Sequence, residues 1–441
     1  MLQTLRQRLT LVLLAALPLH ALLVTVGTKV IAGPGNAPMT GLALWKEALL
    51  LVILGIAVVE MLSSFCRDAP WRVSTEVDVI DVLIISLVAL SAILFFYQLP
   101  ATSYQLLLGF KYDFIPLVAL LVLRRVEWSK AFKYQLMNIL IAVGGIIALY
   151  GIATLFAPQS FFSWLGYGDL HSLYRPTGPL AAFQQIGGTG IRRIQSTMSG
   201  PNQLGLWLLI PLSIALIRKK SVGVFIVFAM FLTLSRSALL AAGVMVAVVL
   251  WKQLPRKKFL QFVGALFCLS FVFSIVAYFF AADIVIRTAS TSDHISRPLQ
   301  AIRLIAERPL GYGLGTAGPA SNRVSDTCVY LEEGDDPSWA QAHQDLCVFV
   351  GETQVQPEDR ECSCPFLPEN WYLQMGVEMG VLGLALFAML VIVILRRLGK
   401  SPFVFLVFLG ISIAALFLHA WEDSAVAYTV WVLLGLFIPP R

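Results

Sequence analysis

Apolar runs of about 17–25 residues recur along this chain, each long enough to cross roughly 30 Å of hydrocarbon as a helix. Inside lipid the backbone N–H and C=O groups must be satisfied within the segment, so these runs are helices. Composition agrees. Of 441 residues 58% are hydrophobic and only 13% charged, where soluble domains run nearer 25% charged. The expected fold class is all-α, a polytopic transmembrane helix bundle of about 12 spans. The expected spans are roughly 9–27, 42–62, 79–98, 104–123, 133–155, 202–217, 222–234, 238–251, 259–281, 370–395, 402–419 and 424–438. Arg6 and Arg8 precede the first run with no small-residue cleavage site after it, so an uncleaved span is expected rather than a signal peptide. The runs 222–234 and 238–251 are short and read as a tight hairpin broken at Ser235–Arg236–Ser237.

Orientation follows from the basic residues of the short loops. One alternate set of connections carries Arg6/Arg8, Arg67/Arg72, Arg124/Arg125/Lys130/Lys133, Arg218/Lys219/Lys220, Lys252/Arg256/Lys257/Lys258 and Arg396/Arg397/Lys400; the other carries little. The first set is expected in the cytoplasm with both termini, in a bacterial inner membrane. The chain then divides into N-terminal spans (1–155), a first extracytoplasmic loop (156–201), central spans (202–281), a large extracytoplasmic loop (282–368) and C-terminal spans (369–441). The net charge of +6 sits in these short clusters and does not suggest nucleic acid.

Cysteine usage tests the orientation independently. Cys66 and Cys268 lie in or beside spans, whereas Cys328, Cys347, Cys362 and Cys364 cluster in the second long loop. That clustering suits an oxidising compartment and up to two disulfides, of unreadable connectivity. Zinc is the rival, through Cys362, Cys364 and His343, but the spacing is poor for a structural site. The acidic stretch Asp326 to Arg360 reads as a solvated excursion.

Four pieces could carry chemistry. Arg236, in Thr233-Leu-Ser-Arg-Ser, is an arginine at membrane depth, and its planar fork suits phosphate. The alternative is an arginine snorkelling to headgroups. Arg192-Arg193 precedes Ser199-Gly-Pro-Asn202, a turn and helix start whose free N–H groups favour an anion; a loop touching lipid phosphates is the bland reading. The stretch from Thr291 to Gly318 opens with His294, a base or a solvated loop histidine. Leu299, Ile302, Ile305 and Ala306 then recur at helical spacing, predicting a surface helix stopped by Pro309 and Gly311. Gly313-Leu-Gly-Thr-Ala-Gly318 matches a dinucleotide fingerprint only formally, because it follows a helix rather than a strand. Last, Glu369-Asn370-Trp-Tyr-Leu-Gln opens the tenth span, where Glu369 acts as a base or merely a cap; Glu378 lies deeper, in the bundle interior or a wet cavity.

In this order and topology the four pieces resemble the O-antigen ligase/O-antigen polymerase family of membrane glycosyltransferases. The likeness covers roughly residues 190–395 and rests on Thr233 to Arg236, Pro201-Asn202, Pro309-Leu-Gly-Tyr-Gly and Glu369-Asn-Trp-Tyr-Leu-Gln…Glu378-Met-Gly-Val-Leu-Gly. Two positions depart: the family's histidine before the asparagine is Glu369 here, and its loop arginine upstream of the proline is His294. The resemblance implies a GT-C-like bundle. It also implies transfer of a glycan from a polyprenyl-diphosphate carrier to a hydroxyl on a glycan or glycolipid acceptor, with no cofactor and no metal. Arg236, assisted by Arg192 or Arg193, is expected to hold the leaving diphosphate, with Glu369 first and His294 second as base. Asn202, Ser235 and Asn370 are expected at the substrate. Polymerisation, with a second lipid-linked repeat as acceptor, is the near alternative. A transporter without chemistry is the distant one, but it should show two related halves with paired broken helices, and the chain shows one broken hairpin and no repeat.

Overall fold

The computed structural model describes residues 1–65, 77–97, 103–168, 178–186, 190–261, 263–265, 288–331, 334, 336–342, 344–421 and 423–440. Arg67, Arg72, Cys66, Cys268, most of the expected span 259–281, Glu332, Glu333, Asp335 and His343 lie outside the described residues.

The described chain is mostly helical. Its longer helices are α1 (Leu2–Ala16), α2 (His20–Ala32), α3 (Trp45–Phe65), α4 (Val79–Tyr97), α5 (Ser103–Asp113), α6 (Ile115–Leu123), α7 (Lys130–Thr154), α8 (Pro201–Arg218), α9 (Val222–Thr233), α10 (Arg236–Gln253), α11 (Thr288–Glu307), α12 (Trp371–Arg397), α13 (Pro402–Ala414) and α14 (Ser424–Phe437). Among the described residues five helices are long and apolar enough to cross a membrane, or six if the bent pair of α5 and α6 is one span. The apolar runs suggested about twice as many full spans. Several are instead short or broken. The run 104–123 bends by 43° between Asp113 and Ile115, where Pro116 sits in the first turn of α6 and has no N–H to continue the ladder. The first span is longer than expected: Leu2–Ala32 is one apolar stretch with a single tighter turn at Leu17–Leu19.

Helix α8 forms the centre. From Leu204 to Ala215 every residue is buried, and α7, α9, α10 and α13 pack around it. Gly205 allows α10 to come close, since a Cβ there would meet the Ala238 Cβ at 2.8 Å. Trp207, Phe408, Trp421 and Trp431 are fully or almost fully buried in the same core. Arg124 is buried, and its Nη1 donates to Asp78 Oδ1 and Asp81 Oδ1, each at 3.0 Å, joining the start of α4 to the end of α6. Arg125 and Arg397 reach the same two carboxylates.

The all-α expectation needs one correction. The stretch read as a solvated excursion folds as a three-stranded sheet, β3 (Thr327–Leu331), β4 (Leu346–Val350) and β5 (Thr353–Gln356), with β3 parallel and β5 antiparallel to β4. A shorter pair, β1 (Gln184–Gln185) and β2 (Arg192–Arg193), lies in the first long loop. Two disulfides staple the larger sheet, Cys328–Cys364 and Cys347–Cys362. Asp326 comes close to Cys347 and Cys362, but the sulfurs a zinc ion would need are spent on each other.

Candidate functional site

The hairpin of α9 and α10 opens one position earlier than its sequence suggested. Leu234 adopts a left-handed φ of 51°, Ser235 N donates to Thr233 Oγ1 at 3.2 Å, and Arg236 already begins α10. That places Arg236 on the first turn of a helix, exposed at the break. The basic segment docks onto this turn from the side. Ile194 N donates to Leu232 O, and Arg193 Nε donates to Thr233 O at 2.9 Å. Arg193 Nη2 also donates to Asn202 Oδ1 at 2.9 Å, at the start of α8, where Pro201 occupies the first helical position. Two guanidinium groups from segments far apart in sequence therefore share one rim.

They line a cavity of about 340 Å³. Asn202, Leu234, Ser237, Leu240, His294, Ile295, Phe417 and Leu418 complete its wall. Of the residues singled out in the sequence, Arg193, Asn202, Arg236 and His294 line it. Arg192 does not: adjacent strand residues point to opposite faces, and its guanidinium stacks 4.2 Å over the Phe183 ring and donates to Ala157 O. Ser235 is also turned away, buried against Ser237. Asn370 is the N-cap of α12, its Oδ1 accepting from Leu373 N at 3.0 Å, while its Nδ2 donates to Leu416 O.

Asn370 supplies the cap, and Glu369 directly precedes it. Its backbone takes a φ of 53°, unusual for a residue with a side chain. Its carboxylate lies 3.7 Å from His294 Nδ1. The pair joins α11 to the head of α12.

Helix α11 buries one face in the protein and leaves another open. Ala301 and Ile305 pack against Val377 of α12, whereas Ile295, Leu299 and Ile302 remain more than half exposed. His294, Arg297, Ala301 and Ile305 follow helical spacing, so Arg297 shares the inward stripe with His294. Sequence reading passed over Arg297, although spacing from His294 would have found it. It also passed over His419, whose Nδ1 lies 3.1 Å from Gln374 Oε1 on the first turns of α12. That loop had no motif to mark it.

The glycine stretch after α11 is explained by a break in α12 at Gly380, φ 69°. Val377 O and Glu378 O receive Tyr312 N and Gly313 N, and Pro309 O receives Val381 N. A Cβ on Gly311 would collide with the Glu378 carbonyl group, so the loop needs glycine for close backbone approach. Glu378 is fully buried, and its Oε1 accepts from Gly315 N at 2.9 Å and Ala317 N at 3.3 Å. It receives amides of the docked loop and does not line the cavity.

Residues 222–353 match the O-antigen ligase family. That stretch is similar to an O-antigen ligase domain. The domain spans the hairpin with Arg236, the helix with His294, the glycine loop and the first two strands of the stapled sheet. Arg193, Asn202 and Glu369, from outside the matched residues, complete its surroundings. No curated protein matches the chain.

Proposed function

We propose that this O-antigen ligase-family membrane enzyme moves a glycan from a polyprenyl-diphosphate carrier to a hydroxyl acceptor at the extracytoplasmic face of a bacterial inner membrane. The observation that carries the reading is the convergence of Arg193, Arg236 and His294 on one cavity. Two guanidinium groups suit a diphosphate, each donating in a planar fork. Ile295, Leu240 and Phe417 line the cavity and are also 60%, 49% and 43% exposed, so one wall suits a hydrocarbon stem lying in lipid. The basic clusters at alternate loops support a cytoplasmic location for both termini.

The acceptor oxygen attacks the anomeric carbon, and its O–H proton passes to His294. The bond from that carbon to the diphosphate oxygen breaks, and the leaving oxygen keeps the electron pair. Arg236 and Arg193 stabilise the charge that develops there. His294 lines the cavity and Glu369 stands behind it, which favours His294 as the base and Glu369 as the positioning residue. This reverses the order the sequence suggested. The energy is stored in the lipid diphosphate, so no nucleotide enters the step.

Deleting the gene and analysing surface glycans tests the reading. Loss of glycan attachment with repeat length intact indicates ligation; loss of length indicates polymerisation. Unchanged glycans in the deletion strain would overturn both.

A further inference from the structure

His20 of α2, Trp45, Lys46 and Glu47 of α3, Lys111 of α5 and Tyr428 of α14 meet in one cluster that does not line the cavity. Lys46, Glu47 and Tyr428 are buried. Trp45 Nε1 donates to His20 Nδ1 at 3.0 Å, and His20 Nε2 lies 3.1 Å from Lys46 Nζ. Lys46 Nζ also donates to Ala43 O at 2.8 Å and lies 3.3 Å from Glu47 Oε2. Glu47 Oε1 takes Lys111 Nζ at 3.0 Å and the Tyr428 hydroxyl at 3.3 Å. Further charged or titratable groups around the cluster are Arg323, Asp423, which accepts from Val426 N at 3.0 Å, and Tyr112, whose ring is 5.1 Å from Lys111 Nζ.

Donor counting fixes the protons of this cluster. An indole N–H only donates, so His20 Nδ1 accepts and carries no proton. A neutral imidazole then holds its proton on Nε2, facing Lys46. An ammonium has three N–H groups and no lone pair, so it would meet that N–H donor to donor. A neutral amine has a lone pair for the His20 proton and keeps N–H groups for Ala43 O and Glu47. Charge agrees: Lys111 already balances Glu47, and an ionised Lys46 would leave a positive charge in excess where charges are costly.

His20 also stands where the first span meets the basic segment. Thr197 Oγ1 donates to Pro18 O at 2.7 Å, and Leu22 N donates to Thr197 O at 3.3 Å. These bonds flank His20 and end on the segment that carries Arg193 to the cavity.

We propose that Lys46 and His20 form a proton switch on the cavity. Neutral Lys46 accepts from His20 and holds the start of α2 in place. A proton from the medium turns the lone pair into a fourth bond of Nζ, His20 is displaced, and the Thr197 contacts that steady Arg193 loosen with it. The effect on rate rests on the glycan-transfer reading above. In the topology of that reading the heads of α3 and α14 face outward, so the switch answers to external pH.

The test compares the full-length parent with Lys46→Met, which cannot take a proton, and Lys46→Arg, which cannot lose one. Transfer is measured in membranes at about pH 6 and about pH 9, with lipid-linked glycan as donor and total extracted glycolipid as acceptor. Melting in detergent is followed at the same two values. Rates are taken as ratios to Lys46→Met, which cancels the titration of His294. The parent ratio should be close to unity at the higher pH and fall roughly 3- to 10-fold at the lower, the effect of one hydrogen bond. Lys46→Arg should stay low at both. The unfolded chain holds the Lys46 proton that the folded chain has released, so the parent should gain melting temperature over Lys46→Met as pH rises. A parent ratio or a melting difference that is the same at both pH values overturns the switch. So does an impaired Lys46→Met beside a Lys46→Arg that matches the parent at the higher pH. If Lys46→Arg fails to insert, the parent and Lys46→Met still decide. Melting needs no transfer: a parent that melts as expected but moves no glycan brings down the transfer reading and leaves the protonation of Lys46 standing.

Discussion

His294 Nδ1 lies 3.7 Å from Glu369 Oε2, and Glu369 holds a left-handed φ of 53° to present that carboxylate. Such a backbone costs on the order of 1–3 kcal/mol and persists where surrounding structure fixes it. Asn370 already caps the helix, so capping does not explain the strain. A positioned base is worth roughly 10²–10⁴ in rate. His294→Ala should lose about that much transfer, and Glu369→Gln clearly less, since the imidazole remains. Rates measured in membranes at matched protein level decide the order. A larger loss in Glu369→Gln than in His294→Ala would exchange the two roles.

The disulfide pairing is specific enough to check by peptide mapping. Cys328 should be recovered joined to Cys364, and Cys347 to Cys362. All four should resist alkylation until reduced. Breaking a native disulfide in a small disulfide-stapled unit typically costs about 2–5 kcal/mol, so a Cys347→Ser/Cys362→Ser pair should make the sheet an early site of proteolysis. Recovery of Cys362 joined to Cys364 would refute the fold of this loop.

Arg124 is a prediction about stability rather than chemistry. It is buried between Asp78 and Asp81, with Arg125 and Arg397 at the margin. Arg124 is the arginine that bridges the two carboxylates, but its loss leaves Asp81 with Arg125 and Asp78 with Arg397, so the cost stays below the roughly 3–5 kcal/mol of a stranded buried charge. Arg124→Ala should therefore unfold below the parent in a detergent melt, and Arg125→Ala should lose less. Equal melting temperatures for Arg124→Ala and parent would remove the network from any account of stability.

Much of this architecture is legible in the residues, and the illegible parts have physical reasons. Apolar runs and basic loops give the helices, but run length cannot show that Pro116 and Gly380 break two of them, because a broken helix is as apolar as an intact one. Arg236 is legible because a charge at membrane depth is costly. Arg192 and Arg193 look equivalent in sequence; only the pairing of β2 with β1 turns one into the cavity and the other onto Phe183. The sheet hides because its Val329, Val348 and Val350 alternation is short and interrupted by acidic residues. Phe417 and Leu418 reach the cavity through the fold alone, carried there by the hydrogen bonds of the 415–416 backbone to the head of α12.

Acid should loosen the stapled sheet by a definite route. The hydrogen bond from Arg360, aided by that from Ser363 N, holds the Asp326 carboxyl below its ordinary value of 3.8. A depressed folded value means that the stabilisation is fully present above about pH 4 and is lost as pH falls through the folded value. Both side chains are partly exposed, so the effect is modest. Protease susceptibility of residues 353–364 should rise below pH 3.8 in the parent. In Arg360→Ala it should already be raised at neutral pH and respond less to acid. A parent loop equally protected at pH 2.5 and pH 7 would deny the pair any role.

Arg236 is the most decisive residue to change. It begins α10, stands exposed at the break in the hairpin and shares the cavity rim with Arg193. In the proposed reaction it holds the diphosphate as charge builds on the leaving oxygen. A planar guanidinium donates two parallel hydrogen bonds, whereas the ammonium of lysine is a point charge. Losing one preorganised donor at a developing anion costs roughly 10²–10³ in rate. Arg236→Ala should therefore be nearly inactive and Arg236→Lys severely impaired, with both proteins inserted at parental levels. Arg193→Lys should fall between them and the parent, because Arg193 also anchors Thr233 O and Asn202. An arginine that merely reaches for lipid headgroups behaves differently: lysine replaces it almost freely, since stem and charge serve the interface equally well. Glycan transfer in membranes carrying each variant separates the two, and near-normal transfer by Arg236→Lys would sink the catalytic role.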